Sequence, residues 1–289
     1  MSAHIHWLAS YPKSGNTWLR LVLSHLTAGA DHQTTINDIS GGSIASDRTW
    51  LDQALGFATA DLLPDEIASI RPEVYRWSAQ AADSGDFHKI HDACTRTPSG
   101  EWLPCPEASG PSIYLLRNPL DVTLSYAGHL GWSADRTIEA LNSSGHAMVG
   151  GPKGGITPQV GQQLLNWSKH VESWVDNDAF TILAVRYEEM LAEPADTFAR
   201  IAEHLGLSPS PAEIADAIEQ TRFERLQEQE SQTSFREKSS KSQKFFRKGQ
   251  AGAWQTDLTD EQIEKIVTVH RPVMRRFGYC DDRGNARVM

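Results

Sequence analysis

Near the N-terminus, the spacing of hydrophobic positions changes from that of a strand to that of a helix. Residues 4–10 form an apolar, β-prone run, which predicts a buried strand. A stretch rich in turn-forming residues, Tyr11–Asn16, follows it. Apolar side chains then recur with the spacing of one helix face, at Leu19, Val22, Leu23 and Leu26. The predicted order is therefore strand, glycine-containing loop, helix.

The same order is repeated further along the chain. Ser112–Arg117 has the pattern of a buried strand. The residues after it suit a helix start, with Asn118 as the N-cap, Pro119 as the first helical residue and Asp121 as an acid in the first turn. Thr181–Tyr187 predicts a third strand.

Helix signals dominate the rest of the chain. A stripe of apolar positions ends at Gly206, and the capping-box patterns Ser210–Glu213 and Thr259–Gln262 each predict a helix start. Strands that alternate with helices predict an α/β fold with a central parallel sheet flanked by helices.

Because there are neither repeats nor a long linker, we expect a single domain over residues 1–289. Segment 143–158, rich in Gly and Pro, is expected to be a flexible loop within it, either a lid or binding loop or a tolerated insertion.

Charge and cysteine content exclude several classes of protein. The chain has 289 residues, with 27 basic and 37 acidic side chains and a formal net charge of −10. This charge argues against a general nucleic-acid-binding protein. The sequence has no apolar run of ~18 residues, so no transmembrane helix is predicted, and its start lacks the features of a secretory signal. Three scattered cysteines, Cys94, Cys105 and Cys280, suit neither a disulfide framework nor a zinc site, and we expect a cytoplasmic protein.

The loop between the first strand and the first helix has the chemistry of a phosphate site. Unpaired N–H groups at a helix start attract anions. Gly15 allows close approach of the backbone, Lys13 adds a positive charge, and Thr17 adds a hydroxyl donor. The spacing differs from the GxxxxGK[ST] loop of nucleoside triphosphatases because the lysine precedes the glycine. A structural turn that merely contains a lysine is the alternative.

A second anion site is predicted where the second strand ends. Arg117 lies at the strand edge where α/β folds bind ligands, and Ser125 follows two helical turns after Asn118. A guanidinium is well suited to phosphate, whereas an ATPase or kinase would more often place a magnesium-binding carboxylate there. We therefore expect a second anion and no metal. The alternative is a surface arginine paired with Asp121.

A local basic cluster stands out in this acidic chain. Residues 236–248 hold six basic side chains and one acidic side chain, a local charge of +5. Such runs are usually solvated surface. This one carries Phe245 and Phe246 and leads directly into a glycine-containing stretch. We therefore interpret residues 236–254 as a basic flap that closes over an anionic ligand.

Four segments together resemble one enzyme family. YPKSGNTW (11–18) resembles the 5′-phosphosulfate loop of the cytosolic-type sulfotransferases, which use 3′-phosphoadenosine 5′-phosphosulfate (PAPS) as sulfuryl donor. RNPLDVTLS (117–125) resembles the family's 3′-phosphate motif, RKGQAGAW (247–254) its C-terminal signature, and NWSKHVESW (166–174) its Trp-His-Trp helix. The resemblance implies a P-loop-kinase-like sulfotransferase fold, with adenosine 3′,5′-diphosphate (PAP) as the product.

The resemblance also implies which residues bind the donor. Those expected at the 5′-phosphosulfate are Lys13, Ser14, Gly15, Asn16 and Thr17. Those expected at the 3′-phosphate are Arg117, Ser125, Arg247, Lys248 and Gly249. Those expected at the adenine are Trp18, Tyr187, Thr233 and Phe235.

The catalytic residues are expected in HKIHD (88–92), which resembles the family's Lys-x-His element. There His91 would be the general base and Lys89 would stabilise the transferring group, while Lys13 would sit at the bridging oxygen. Alternation along a strand places Lys89 and His91 on one face, and His88 should face away. Histidine titrates near neutrality, which suits a base that removes a proton from an alcohol or phenol during in-line displacement.

The acceptor is not identified by the sequence. Its pocket should come from residues 28–86 and 129–160, the segments least like the family, and the acceptor could be an alcohol, phenol, lipid, natural product or amine. We expect a small-molecule hydroxyl acceptor and either a monomer or a homodimer. Two other functions stay open: a nucleotide-type P-loop kinase, which would require magnesium, and a catalytically silent PAP-binding protein.

Overall fold

A computed structural model shows the architecture of the chain. It describes residues 4–28, 35–37, 39, 41–81, 86–148, 156–238, 244–246 and 249–288. These residues form two compact units. The first unit consists of Met1–Tyr11, Gly41–Tyr114 and Ser143–Ala184, and the second of Pro12–Ser40, Leu115–Asn142 and Val185–Met289. The predicted single domain over residues 1–289 stays a prediction.

The strands of the described residues include four that form a central sheet. In chain order they are β1 (Ile5–Ser10), β2 (Asp86–Ile90), β3 (Thr95–Arg96), β4 (Trp102–Leu103), β5 (Ser112–Leu116), β6 (Ala147–Met148), β7 (Gln162–Gln163) and β8 (Ile182–Arg186). The central sheet has the order β2-β1-β5-β8, and β3 pairs with β4 and β6 with β7. The predicted α/β class with a central parallel sheet flanked by helices is confirmed.

Burial explains the order of the strands. All five residues of β5 are buried, as are five of the six residues of β1, and these two strands occupy the middle of the sheet. Continuous apolar strands of this kind suit a parallel sheet that is covered on both faces. On one side of β1, β2 runs parallel with Ile5 opposite Asp86 and Ala9 opposite Ile90.

Among its described residues, the first unit contains the α-helices α2 (Arg48–Leu55), α3 (Pro64–Ala81) and α6 (Trp167–Val175). Both α2 and α6 start at a side-chain cap. Asp47 accepts a hydrogen bond from the Thr49 N–H, and Asn166 accepts one from the Lys169 N–H. These caps satisfy N–H groups that lack a partner within the helix.

The second unit holds the remaining helices of the described residues. They are α1 (Asn16–Ala28), α4 (Pro119–Leu130), α5 (Ala134–Asn142), α7 (Tyr187–Ala192), α8 (Pro194–His204), α9 (Pro211–Gln220), α10 (Phe223–Thr233), α11 (Trp254–Asp257) and α12 (Asp260–Arg276). The predicted N-cap at Asn118 is present, since its side chain accepts from the Leu120 N–H. Both predicted capping boxes, at Ser210 and Thr259, are also formed.

Two predicted loops fall partly outside the described residues. Residues 149–155 of the glycine-rich loop and residues 239–243 and 247–248 of the basic flap are not among them. On either side of the gap at 149–155, β6 and β7 form an antiparallel pair. In the part of the chain that the structure describes, no helix has both the length and the apolar character needed to span a bilayer.

Candidate active site

The phosphate loop adopts a backbone conformation that few sequences tolerate. The loop joins β1 to α1, and Lys13 and Gly15 within it have positive φ angles of 72° and 102°. Left-handed residues that alternate with right-handed ones turn successive N–H groups into an anion-binding concavity. The loop also lies at the N-terminal end of α1, where the helix dipole favours negative charge.

Gly15 is required by its surroundings as well as by its φ angle. A Cβ atom at this position would lie 2.5 Å from Cδ2 of Tyr187, well inside van der Waals contact. Tyr187 is the first residue of α7 and is buried. The tyrosine ring therefore packs directly on the loop backbone and fixes its path.

Two polar groups at this site are left without a protein partner. Among the residues that the structure describes, neither the buried Ser14 hydroxyl nor the buried Nε–H of Arg117 has a hydrogen-bond partner. A buried polar group without a partner costs about 1–3 kcal/mol. Polar groups kept in this state point to a ligand that completes them, and a donor beside a cation favours an anion.

Arg117 is held in place by the backbone and by an aromatic ring. Its NH1 donates to the Lys13 carbonyl at 3.3 Å and its NH2 to the Gln250 carbonyl at 2.9 Å. Its guanidinium carbon lies 4.4 Å from the centre of the Tyr187 ring. The arginine thus joins the phosphate loop to the segment before α11, while its Nε–H stays available for an anion.

Asp121 binds backbone N–H groups, whereas the alternative prediction from the sequence was an ion pair with Arg117. Its carboxylate accepts from the N–H of Gly252 at 2.8 Å and from that of Trp254 at 3.3 Å. Asp121 therefore anchors the start of α11. Neighbouring Glu188 accepts from the Asn118 N–H and from the Tyr279 hydroxyl, and burial raises the pKa of its carboxyl. Glu188 therefore holds the backbone directly after Arg117, at the end of β5.

Trp18 packs against aromatic side chains of the second unit. Its ring meets those of Tyr187 and Phe198 edge-on, with centroid distances of 6.3 and 5.5 Å. Its indole N–H donates to the Thr221 hydroxyl at 3.2 Å. Sequence reasoning missed Thr221, although a signal existed, because Thr-x-Phe occurs both at 221–223 and at 233–235.

The second Thr-x-Phe segment lies at the C-terminal end of α10, and its predicted place at the adenine stays a prediction. Thr233 is the last residue of α10, is exposed, and donates its hydroxyl to the Gln229 carbonyl. Phe235 is buried in an apolar cluster that includes Phe246. Its ring also meets that of Phe245 edge-on. The threonine that meets Trp18 is therefore Thr221, because the end of α10 uses the Thr233 hydroxyl as an internal bond.

The remaining residues predicted at the 3′-phosphate are only partly described. Ser125 lies on α4, half-buried and one turn beyond Asp121. Gly249 has a φ of 58°, and a Cβ atom there would lie 2.4 Å from the Phe223 ring. Arg247 and Lys248 lie outside the described residues. Nearby, the Nζ of Lys13 lies 4.0 Å from the centre of the Phe245 ring, so the loop lysine contacts the flap.

In the first unit, His91 is buried directly after β2. Its Nδ1 lies 2.7 Å from the carbonyl oxygen of Ser10 and 3.3 Å from the Ser10 hydroxyl. Because a carbonyl oxygen can only accept, we assign the proton to Nδ1. This tautomer leaves the lone pair of the imidazole on Nε2, which is the nitrogen that can act as a base.

Lys89 and His88 differ in the way that strand alternation predicts. Lys89 is half-buried, and its carbonyl accepts from the Ala45 N–H. His88 stacks on Trp50 with ring centroids 4.2 Å apart and hydrogen bonds through Nδ1 to the Ser43 carbonyl. His88 is therefore a packing residue, which leaves His91, directly after the strand, as the candidate base.

The sequence profile described as "Sulfotransferase domain" matches residues 5–278. The chain belongs to the sulfotransferase family. Membership makes it a transferase of the class that moves sulfuryl groups. Within the described residues, no group of three or more His, Cys, Asp or Glu side chains is arranged to hold a metal ion.

Relatives of known name match most of the chain at modest identity. Sulfotransferase 2A1 of Mus musculus is 25% identical over 275 residues, 93% of the chain and 84% of that protein. Flavonol 3-sulfotransferase of Flaveria bidentis is 26% identical over 278 residues, 90% of the chain and 78% of that protein. Sulfotransferase 2A6 of Mus musculus is 27% identical over 169 residues, and this match spans 57% of the chain and 56% of that relative.

Solved structures of two PAP complexes share the fold. Mouse sulfotransferase SULT7A1 complexed with PAP superposes with a TM-score of 0.60 at 19% identity, covering 97% of the chain and 86% of that protein. Retinol dehydratase in complex with androsterone and inactive cofactor PAP gives a TM-score of 0.60 at 19% identity, covering 93% and 80%. At these identities the likeness shows the fold alone.

Proposed function

We propose that this sulfotransferase transfers the sulfuryl group of PAPS to a hydroxyl acceptor by in-line displacement, with His91 as general base. The observation that carries the proposal is the pair of buried donors without a protein partner, Ser14 Oγ and Arg117 Nε. Ser14 lies within the phosphate loop and Arg117 directly after β5, and the positive φ angles of Lys13 and Gly15 in that loop are typical of an anion-binding concavity.

The phosphate loop is proposed to hold the 5′-phosphosulfate. The donors are its backbone N–H groups and the hydroxyls of Ser14 and Thr17. At Gly15 and Asn16 the loop backbone comes close to the phosphosulfate. The Lys13 ammonium stabilises the negative charge that gathers on the bridging oxygen as the S–O bond breaks. Phe245, against which Lys13 packs, orients its side chain.

Arg117 and Ser125 are proposed to bind the 3′-phosphate, with Arg247, Lys248 and Gly249 completing the site. A strand that ends in arginine at this position suits an anion, whereas a kinase would need a magnesium-binding carboxylate there. The carboxylate that does lie close in sequence, Asp121, is occupied by the N–H groups of Gly252 and Trp254. This arrangement weighs against the nucleotide-kinase alternative.

The adenine is proposed to lie against Trp18 and Tyr187. Thr221 fixes the Trp18 indole, and this contact favours Thr221 over Thr233 as the threonine nearest the base. Phe235 then contributes through the cluster that supports Phe245 and Phe246.

His91 is proposed to remove the acceptor proton. Nε2 takes the proton of the hydroxyl as the new O–S bond forms, while the Ser10 carbonyl stabilises the imidazolium through its bond to Nδ1–H. Lys89, two residues before His91 on β2, is proposed to stabilise the transferring group. We also propose a cytoplasmic protein, a small-molecule acceptor, and a monomeric or homodimeric state. Retinol dehydratase, one of the solved relatives, holds androsterone.

The test is transfer from sulfur-labelled PAPS to a pooled library of alcohols, phenols and amines, in the presence of EDTA. We expect a labelled product with a mass gain of ~80 Da and stoichiometric PAP, since each transfer releases one leaving group. Parallel incubation with γ-labelled ATP and magnesium tests the kinase. Phosphoryl transfer in that arm, without sulfuryl transfer in the other, would contradict the proposal.

A further inference from the structure

One face of α6 holds the peptide segment that carries His91. Trp167, His170 and Trp174 follow one another at spacings of three and four residues, which places them on a single helix face, and all three are completely buried. His170 Nε2 lies 3.0 Å from the His91 carbonyl oxygen. The Trp174 indole N–H donates to the Asp92 carbonyl at 2.9 Å. Two consecutive carbonyls are therefore bound by one helix.

The protonation state of His170 is determined by its neighbours. Because the His91 carbonyl can only accept, Nε2 of His170 carries the proton, and Nδ1 accepts from the Tyr114 hydroxyl at 2.8 Å. Burial lowers the pKa of His170 to about 4, so the ring is neutral near pH 7. Tyr114, from β5, thus fixes the tautomer that His170 needs in order to hold His91.

The same segment is held from a second direction by a buried ion pair. The Arg71 guanidinium donates to both oxygens of Asp92, at 2.9 and 2.7 Å, and both side chains are almost fully buried. Arg71 also donates to the Tyr75 hydroxyl. A buried ion pair adds little net stability but fixes geometry, because breaking either partner is costly. Both carbonyls and both side chains of residues 91–92 are consequently bound.

We propose that His170 and Trp174 are positioning residues that hold His91 in its base-competent orientation. The inference rests on the proposed role of His91. Neither residue exchanges a proton with the acceptor. They fix the peptide at 91–92 so that the imidazole keeps its bond from Nδ1 to Ser10 and presents Nε2 as the basic nitrogen. If His170 and Trp174 served only in packing, they would have to be buried but would not need to direct an N–H at a carbonyl of residues 91 and 92.

The test compares two buried histidines that differ in what they bind. His170→Leu removes the donor to His91, and His170→Gln keeps an N–H near the former Nε2. His270→Leu is the matched control, because His270 is buried on α12, its pKa is also lowered by burial to about 4, and it hydrogen bonds to the backbone of Leu141. Trp174→Phe removes the second donor and keeps an aromatic ring.

The expected result is a split between turnover and binding. Loss of a partner that orients a catalytic group typically costs ~10–100-fold, and we expect that fall in kcat for His170→Leu with an unchanged KM for PAPS. His170→Gln should recover kcat to within about 3-fold of the parent, and Trp174→Phe should lose about 10-fold. His270→Leu should lower Tm as much as His170→Leu does and leave kcat within about 2-fold.

Nitrogen-15 spectra of the histidine rings provide a readout that does not depend on activity. In the parent protein, His91 should show the Nδ1–H tautomer, and His170→Leu, but not His270→Leu, should shift it toward a mixture. Unchanged His91 signals and unchanged kcat in His170→Leu would overturn the positioning role. If His170→Leu does not fold, the same comparison is made with Trp174→Phe. If the parent transfers no sulfuryl group, the function proposed above fails, while the spectra still decide the positioning role.

Discussion

The surroundings of His91 and those of the phosphate loop satisfy their polar groups in opposite ways. Around His91, the ring nitrogen Nδ1 and the carbonyls of residues 91 and 92 are bound by other parts of the protein. At the phosphate loop, Ser14 Oγ and Arg117 Nε are buried without a partner among the described residues. The protein therefore satisfies the hydrogen bonds of the proposed base by itself and leaves those of the proposed donor site to an anion.

This difference follows from what each site has to do. A general base works only in one orientation and one tautomer, so its geometry benefits from being fixed before the substrate binds. A donor site gains affinity from buried groups whose hydrogen bonds are made only when the ligand arrives, since the cost of leaving them unpaired is then removed. On this proposal, the surroundings of His91 orient a base, and the phosphate loop recognises the anionic donor.

The strongest test of the difference is His91→Ala. We expect kcat to fall ~10²–10⁴-fold, which is the usual contribution of a general base, while PAP binds as tightly as before. Initial rates with labelled PAPS and calorimetry with PAP measure the two quantities. His88→Gln, on β2 three residues before His91, is the control and should retain turnover. Near-normal turnover in His91→Ala would remove it from the role of base.

Arg117→Met tests the other region. Because hydrogen bonds to charged groups contribute about 1.5–3 kcal/mol, PAP affinity should fall roughly 10- to 100-fold. Adenosine 5′-monophosphate lacks the 3′-phosphate, so its affinity should hardly change. The control Arg225→Met removes an exposed arginine that binds Glu219 and Gln220 on the surface. Equal losses for both nucleotides would mean that Arg117 does not recognise the 3′-phosphate.

The pH dependence of unfolding tests one buried histidine in each unit, His170 in the first and His270 in the second. Burial lowers the pKa of both His170 and His270 from 6.5 to about 4. Between these values the unfolded chain binds more protons than the folded one, so the free energy of unfolding falls as the pH is lowered. Each histidine should account for about 2 kcal/mol between pH 7 and pH 5.

Urea denaturation of the parent and of His270→Gln at both pH values measures this contribution. The variant should lose about 2 kcal/mol less than the parent between pH 7 and pH 5. Burial raises the pKa of Glu188, which acts in the opposite direction in both proteins and cancels in the difference. An identical pH dependence would show that His270 is not buried as a neutral ring.

Gly15→Ala tests the backbone of the phosphate loop. The new Cβ would meet the Tyr187 ring at 2.5 Å and would occupy a residue with a φ of 102°. We expect PAP affinity to fall about 10-fold because the loop can no longer hold its N–H groups in place. Gly100→Ala is the matched control, since Gly100 has a φ of 89° and open space around its Cβ position. Similar PAP binding in both variants would contradict the proposed loop.

The sequence predicted the strand framework well because each element carries its own local signal. The apolar runs at 4–10 and 112–117 and the β-prone run at 181–187 correspond to β1, β5 and β8, with boundaries within one residue. Both capping boxes form because the residues that make them are adjacent in the chain. The phosphate loop and Arg117 could be predicted for the same reason, because each is signalled by residues that are adjacent in the sequence.

The contacts that complete the site come from distant residues and had no local signal. Arg71 and Asp92 are 21 residues apart, and His170 is 79 residues from His91. The two Thr-x-Phe segments could not be distinguished by pattern, because only folding brings Thr221 to Trp18. Asp121, which the sequence offered as an alternative partner for Arg117, instead accepts hydrogen bonds from the backbone N–H groups of residues 252 and 254.

The most direct test of the account is calorimetry of the nucleotide-free protein with PAP, AMP and ATP in EDTA. Two separate anion-binding groups, at the phosphate loop and at Arg117, should make PAP bind at least ~10-fold more tightly than AMP, with ATP no tighter than AMP. ATP that binds as tightly as PAP would contradict the claim that this protein recognises an adenosine phosphorylated at both its 3′ and 5′ positions.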